Sequence, residues 1–198
     1  GAKPYDNYHE MLLENPQINT VAIVTPSGMH YEHALDIISR YKKNIIIEKP
    51  TFMKPSQVKE VHSKAVATGV QIFAVFQNRY NLAVTRVLQG LKHGELGRLR
   101  SAAVRVRWCR PQNYYDLAPW RGTFSMDGGC LTNQGIHHID LLRFLGGEVT
   151  SVNCIQKTLG SDIEVEDTAM ALIEFFNGAI GTVDITTAAR PIDYEASI

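Results

Sequence analysis

Residues 20–25, Thr-Val-Ala-Ile-Val-Thr, run directly into Pro26-Ser27-Gly28, and the reading of the whole first half grows out from this stretch. A short β-branched apolar run that ends in Pro and Gly reads as a buried strand entering a turn. Over residues 31–41 the apolar positions Ala34, Leu35, Ile37, Ile38 and Tyr41 recur at helical spacing, and residues 44–48 return to a short apolar run. The order is strand, helix, strand. Ser56 is expected to cap a second helix whose Val58, Val61, Ala65 and Val66 share a face, with Gly69 as its stop and residues 70–76 as a further strand. Two crossovers in a row imply a parallel sheet with helices packed on its faces, an α/β architecture.

The pattern changes after Gln77. A helix over residues 82–92 precedes Gly94, residues 98–109 read as a strand, 110–129 as an irregular loop and 131–144 as a helix. Residues 150–157, 167–176 and 179–187 read as strands, and Asn177-Gly178 between the last two signals a tight hairpin. The second part is therefore α+β with a mainly antiparallel, open-faced sheet. The expected division is a partial Rossmann-like domain over residues 1–77 and a second domain over 78–198. Only one helical pattern, residues 5–13, precedes the first strand, and the sequence stops within an expected new strand. Half-finished sheets expose edges and faces, so the chain reads as a piece lacking elements at both ends. In residues 167–176, Ala169, Ala171, Ile173 and Phe175 alternate with Met170, Leu172, Glu174 and Phe176. Both faces carry apolar groups, which predicts a subunit interface and a homodimer or homotetramer, the alternative being that further residues of the same chain cover the open face.

Twenty Lys and Arg balance twenty Asp and Glu in 198 residues, with 44% hydrophobic content. That balance gives no electrostatic reason to expect nucleic acid or an anionic membrane, and it favours a small-molecule partner. No apolar run is long enough to span a bilayer, and the N-terminus shows no signal pattern. Cys109, Cys130 and Cys154 are odd in number and lack metal or redox spacing, so neither a disulfide framework nor a metal site is expected and a reducing cytoplasm is the default.

Three motifs carry chemistry. Thr25-Pro26-Ser27-Gly28-Met29-His30 lies at the carboxyl end of a parallel strand, where open α/β sheets present ligand loops, although a simple strand-ending turn with a helix-starting His fits the same residues. Glu48-Lys49-Pro50 follows the next strand at the same edge; the Lys49 ammonium can hydrogen-bond a substrate oxygen and stabilise charge as a hydroxyl proton leaves, although a plain surface lysine fits the same position. In residues 127–140, DGGCLTNQGIHHID, Asn133 and His137 are spaced i, i+4, which on a helix puts both on one face, and a histidine suits proton exchange near neutrality. His138 reads as structural. Arg79 and Arg121 could form bidentate contacts with a carboxylate or phosphate, or be surface arginines.

With Gln77-Asn78-Arg79-Tyr80-Asn81 and Trp120-Arg121-Gly122, these motifs resemble the glucose-fructose oxidoreductase, inositol dehydrogenase and rhizopine-catabolism family of NAD(P)-dependent enzymes, over nearly the whole chain. The resemblance implies hydride transfer between a sugar carbon and nicotinamide, with NAD favoured over NADP. It implies catalytic Lys49, His137 and Asn133; cofactor contacts from Thr25, Pro26, His30, Glu48, Lys49, Pro50, Gln77, Trp120 and Arg121; and substrate contacts from Lys49, Asn78, Arg79, Tyr80, Asn133 and His137. The X-Pro bond after the lysine is often cis in the family, and Asp often stands where Asn133 stands here. An amide cannot ionise, so the base role falls more on His137 and Lys49. The subgroup most resembled oxidises a UDP-linked N-acetylglucosamine or its uronic acid. No GxGxxG phosphate cradle occurs in the sequence. A non-catalytic sensor on the same fold, or an inactive piece of the enzyme, are the alternatives.

Overall fold

The computed structural model describes residues 2–190, so the strand expected at the end of the sequence lies outside the described residues. The chain divides after Val75 into two compact units.

Unit 1 begins with α1 (Tyr8–Glu14), capped by the Asn7 side chain, which accepts from the Glu10 N–H at 2.9 Å. Then come β1 (Thr20–Ile23), a 3-10 turn (Ser27–Met29), α2 (His30–Asp36), which runs on as a π turn to Tyr41, β2 (Asn44–Ile47), α3 (Pro55–Thr68) and β3 (Ile72–Ala74). The strands are parallel in the order β1-β2-β3, with Val21 beside Ile45 and Ile45 beside Ile72. Val21, Ile23, Ile45 and Ile47 alternate onto one face and are buried with Leu12, Ala34, Ile37, Ile38, Val61 and Ala65 from the helices. Burying each such isoleucine contributes roughly 1.5–3 kcal/mol, several times any difference in helix propensity, so the sheet face fixes where the helices lie.

Three expectations for this unit change. Among the described residues helices cover one face of the sheet; Ala22, Ile46 and Phe73 on the other are exposed. Helix α3 is not capped by Ser56: its N-cap is Lys54 and Pro55 takes the first helical position, where its missing N–H costs nothing. The Gln57 amide oxygen turns back to accept from the N–H groups of Met53 and Lys54 at 3.1 and 3.0 Å. Val58 and Val66 are exposed, and Val61 and Ala65 alone of the expected face are buried.

Unit 2 opens with a 3-10 turn (Gln77–Tyr80) and α4 (Leu82–Lys92), followed by β4 (Ser101–Arg107), α5 (Gln112–Asp116), α6 (Ile136–Gly146), β5 (Val149–Lys157), β6 (Thr168–Phe175) and β7 (Ile180–Thr186). The expected irregular loop thus contains a short helix. The sheet is mixed, in the order β4-β7-β6-β5, with β4 parallel to β7 and the other pairs antiparallel. The hairpin at Asn177-Gly178 uses three residues: Gly178 donates to Phe175 O and Phe175 to Ala179 O, both at 2.9 Å, and Gly178 takes φ +81°, which only glycine adopts without strain. One face packs Val106, Ile173, Phe175, Val183 and Ile185 with Leu142 and Ile139 of α6. The other leaves Met170, Leu172 and Ile180 exposed beside Arg107, whose guanidinium grips Asp184.

Candidate active site

In unit 1 the candidate residues lie where β1 and β2 end. Being adjacent and parallel, they deliver Thr25-Pro26 and Glu48-Lys49-Pro50 to the same sheet edge. The Lys49-Pro50 bond is cis, and the Lys49 N–H donates to its neighbour's Glu48 carboxylate at 3.0 Å. His30 ties the two turns together. Its ring, 1% exposed, places Nδ1 2.8 Å from the Pro50 carbonyl oxygen and Nε2 2.8 Å from that of Thr25. Both partners are acceptors, so a neutral ring donates to one of them and a protonated ring to both. With both nitrogens bonded to backbone, His30 fixes the turns. Thr25 itself is exposed, and its hydroxyl sits 3.1 Å from His33 Nδ1.

In unit 2 the motif at residues 127–140 is not one helix. Helix α6 starts at Ile136, and residues before it form consecutive turns, in which Asn133 N donates to Gly129 O at 2.9 Å. Asn133 and His137 are therefore not on one helical face: His137 lies in the first turn of α6 and Asn133 before it. A Cβ on Gly129 would overlap the Glu166 carboxyl, and that carboxylate accepts from Leu131 N at 3.0 Å, which holds the chain in turns here. Asn133 is oriented by Asp127, to which its amide nitrogen donates; Asp127 is 1% exposed and also accepts from Gly122 N at 2.8 Å. An aspartate at 133 would set two carboxylates against each other, a physical reason for Asn here.

His137 meets Phe76 edge-on at 6.4 Å, with its Nδ1 buried, and His138 Nδ1 is buried as well. Arg79 gives two donors to Asp140 on α6, at 2.7 and 2.5 Å, and lies over the rings of Phe76 and Phe144. The bidentate contact expected of Arg79 is thus made within the chain, and it joins the 77–80 turn to the helix that carries His137. Asn78 is half-buried, while Gln77 and Tyr80 are exposed. Trp120 and Arg121 stack, with the guanidinium 4.7 Å from the ring centroid. Burial, then the charges of Glu166 and Asp167, push the Cys130 thiol up to about 12, so it remains a neutral core residue.

Asp127, Glu166 and Asp140, the anchors of this site, had no assigned role in the sequence. Asp127 and Asp140 do stand in the quoted motif, and Asp140 is spaced i+3 from His137. Glu166 carries no local signal. Among the described residues no group of His, Cys, Asp and Glu is placed to hold a metal, and no helix is long and apolar enough to cross a membrane.

Residues 84–198 match the GFO/IDH/MocA C-terminal domain, and residues 1–76 match the oxidoreductase family with an NAD-binding Rossmann fold. The WlbA dehydrogenase of Bordetella pertussis, solved in complex with NADH and UDP-GlcNAcA, superposes with a TM-score of 0.92 at 35% identity, over 96% of this chain and 55% of that one. Levoglucosan dehydrogenase of Pseudarthrobacter phenanthrenivorans is 28% identical over 90% of this chain and 52% of its own length. The scyllo-inositol 2-dehydrogenase (NAD(+)) of Bacillus subtilis is 29% identical, over 87% and 50%. The chain spans about half the length of the curated relatives it matches.

Proposed function

The chain belongs to the GFO/IDH/MocA family of NAD-binding oxidoreductases, and from that premise we propose that the protein oxidises a hydroxyl of a sugar, most specifically a nucleotide-linked sugar. The observation that carries the reading is the shared carboxyl edge of β1 and β2, where His30 locks the Thr25-Pro26 and Lys49-Pro50 turns together. This edge fits the nicotinamide end of a dinucleotide: Thr25 is exposed there, and Glu48 and Lys49 are half-buried. Thr25, Pro26, Glu48 and Gln77 are the residues assigned to hold it. When bound, nicotinamide supplies the hydride acceptor.

The chain's own residues handle the proton. Lys49 Nζ hydrogen-bonds the reacting oxygen and favours its negative charge. His137, with Nδ1 buried, takes the hydroxyl proton at Nε2. Asn133, oriented by Asp127, positions the sugar, with Asn78 and Tyr80 as further contacts. Residues 1–77 serve the cofactor, and 78–198 the substrate and subunit contact. The relatives' NADH and NAD(+) support NAD over NADP, and three free thiols suit a reducing cytoplasm. The apolar open face of the unit 2 sheet supports a homodimer or homotetramer, and a monomer by light scattering at micromolar concentration would sink that part.

For the chemistry, the test is NADH absorbance on mixing full-length protein with NAD and nucleotide sugars. Lys49→Met and His137→Ala should each keep dinucleotide binding and lower kcat by roughly 10²–10⁴-fold. Near wild-type kcat in either variant across the pH range would remove that residue from the proton path.

A further inference from the structure

Helix α6 carries His137 in its first turn, with Gly135 as N-cap and no side chain bonded to the helix start. A first turn lacks the backbone bonds that hold a helix interior, and the second torsion of a histidine side chain is broad. The plane of the imidazole is therefore set by contacts from outside α6, and Phe76 makes one. Its ring meets that of His137 at 6.4 Å between centroids and 82° between planes. The Phe76 carbonyl accepts from Arg79 N at 3.1 Å, so a single turn carries both side chains. The Arg79 guanidinium lies 5.3 Å from the Phe76 ring centroid and 4.9 Å from that of Phe144. Its donors reach the Asp140 carboxylate at 2.7 and 2.5 Å. Asp140 follows His137 by three residues on α6, and Phe144 lies one turn further. The guanidinium is thus fastened to the helix that carries the imidazole, and Phe76 touches both. An ion pair whose arginine is 35% exposed contributes little to stability by itself, so its effect lies in where it holds Phe76.

We infer that Arg79 and Phe76 are positioning residues for His137. Asp140 anchors Arg79 to α6, Arg79 bears on the Phe76 ring, and Phe76 sets the plane in which His137 offers Nε2 to the hydroxyl proton. This rests on the reading of His137 as the proton acceptor, and it gives Arg79 a part in the reaction without contact to the sugar. Proton transfer needs the acceptor nitrogen within hydrogen-bond reach and in line, so an imidazole turned out of its plane costs rate while binding is kept.

The first measurement is turnover of full-length protein with NAD and UDP-linked N-acetylglucosamine uronic acid, followed as NADH absorbance. Phe76→Leu should lower kcat roughly ten- to a hundredfold, with KM for NAD and for the nucleotide sugar within about threefold of wild type. Phe76→Tyr, which keeps the ring, should retain most of the turnover. Arg79→Met and Asp140→Asn should each lower kcat severalfold, and Arg79→Lys, which keeps the charge but not the planar fork, should lower it less. Because the ion pair acts through Phe76, adding Asp140→Asn to Phe76→Leu should cost little beyond Phe76→Leu alone. Should Phe76→Leu fail to fold, Arg79→Met and Arg79→Lys carry the comparison. A role confined to stability would lower the melting temperature and leave kcat of the folded variants at the wild-type level, and that result overturns the inference. A loss confined to KM, or a double variant in which the two losses multiply, overturns it as well. The second measurement needs no substrate. The His137 ring signals in the NMR spectrum, assigned by their absence in His137→Ala, should shift or broaden in Arg79→Met, and unmoved signals overturn the inference. If those signals move but no nucleotide sugar reduces NAD in the wild type, the oxidoreductase reading fails and the hold on the imidazole stands.

Discussion

The two units hold their candidate residues by different means. In unit 1 the holding groups are backbone: strand ends, two turns, and one buried imidazole bonded to two carbonyl oxygens. In unit 2 they are side chains, Asp127 on Asn133, Asp140 on Arg79 and Glu166 on the turns that lead to α6. A site held by backbone tolerates many side-chain changes but leans on the buried imidazole that joins its turns. A site held by charged side chains is sensitive to any substitution that alters the charge balance, because a buried carboxylate without its donor is costly.

The largest expected effect breaks the cross-link. His30→Ala takes away the ring that joins the Pro50 and Thr25 carbonyls, leaving a cavity and at least one carbonyl without its donor, and should cost about 3 kcal/mol, read as a drop of roughly 6–12 °C in melting temperature. A melting temperature within about 2 °C of the wild type would show that the two turns hold without it.

Next, Asn133→Asp sets a second carboxylate against buried Asp127, an expected loss of about 2 kcal/mol at neutral pH. Mutual repulsion raises the carboxyl pKa in the folded state above its unfolded value, so the loss should be present at neutral pH and relieved as the solution is acidified. Asn133→Ala, which only removes the hydrogen bond, should show less destabilisation and no such relief. Equal stability of the two variants at all pH values would dissolve the contrast drawn between the units.

The smallest effect lies in unit 1. Burial, and then a hydrogen bond to Asp36, pushes the Tyr8 hydroxyl up to about 12 from 10.0. The fold therefore favours the neutral phenol: the stabilisation is whole below about pH 10 and is lost as pH rises through about 12. Tyr31 and Tyr115 are raised too, so the measurement is the difference between wild type and Tyr8→Phe in stability from about pH 9 upward. A difference that stays flat over that range would remove Tyr8 from the account.

What could be read from the sequence follows the same division. In unit 1 the signals are local: β-branched runs ended by Pro or Gly, helical spacing between them, and motifs placed directly after strands. The parallel sheet and the shared edge of Thr25 and Lys49 follow from these with little else. Ser56 does not cap α3 because Pro55 takes the first helical position and Gln57 turns back to the N–H groups before it. In unit 2, Asn133 and His137 have helical spacing, but spacing cannot reveal that Glu166, distant in sequence, occupies the space over Gly129 and keeps Asn133 in the turns before α6. Nor can it reveal that Arg79 is matched by Asp140, or that five planar side chains stack in the order 108, 110, 114, 121, 120.

The sequence alone therefore determined the order of elements, the sheet edge that carries the lysine, and the residue types available for proton transfer, because these depend on periodicity and on neighbours within a few positions. Only the tertiary structure decided that Asp127 orients Asn133, that Asp140 neutralises Arg79, and where α6 begins. Those depend on burial and on charge partners brought together across long stretches of chain, where a hydrogen bond or an uncompensated charge outweighs any local propensity.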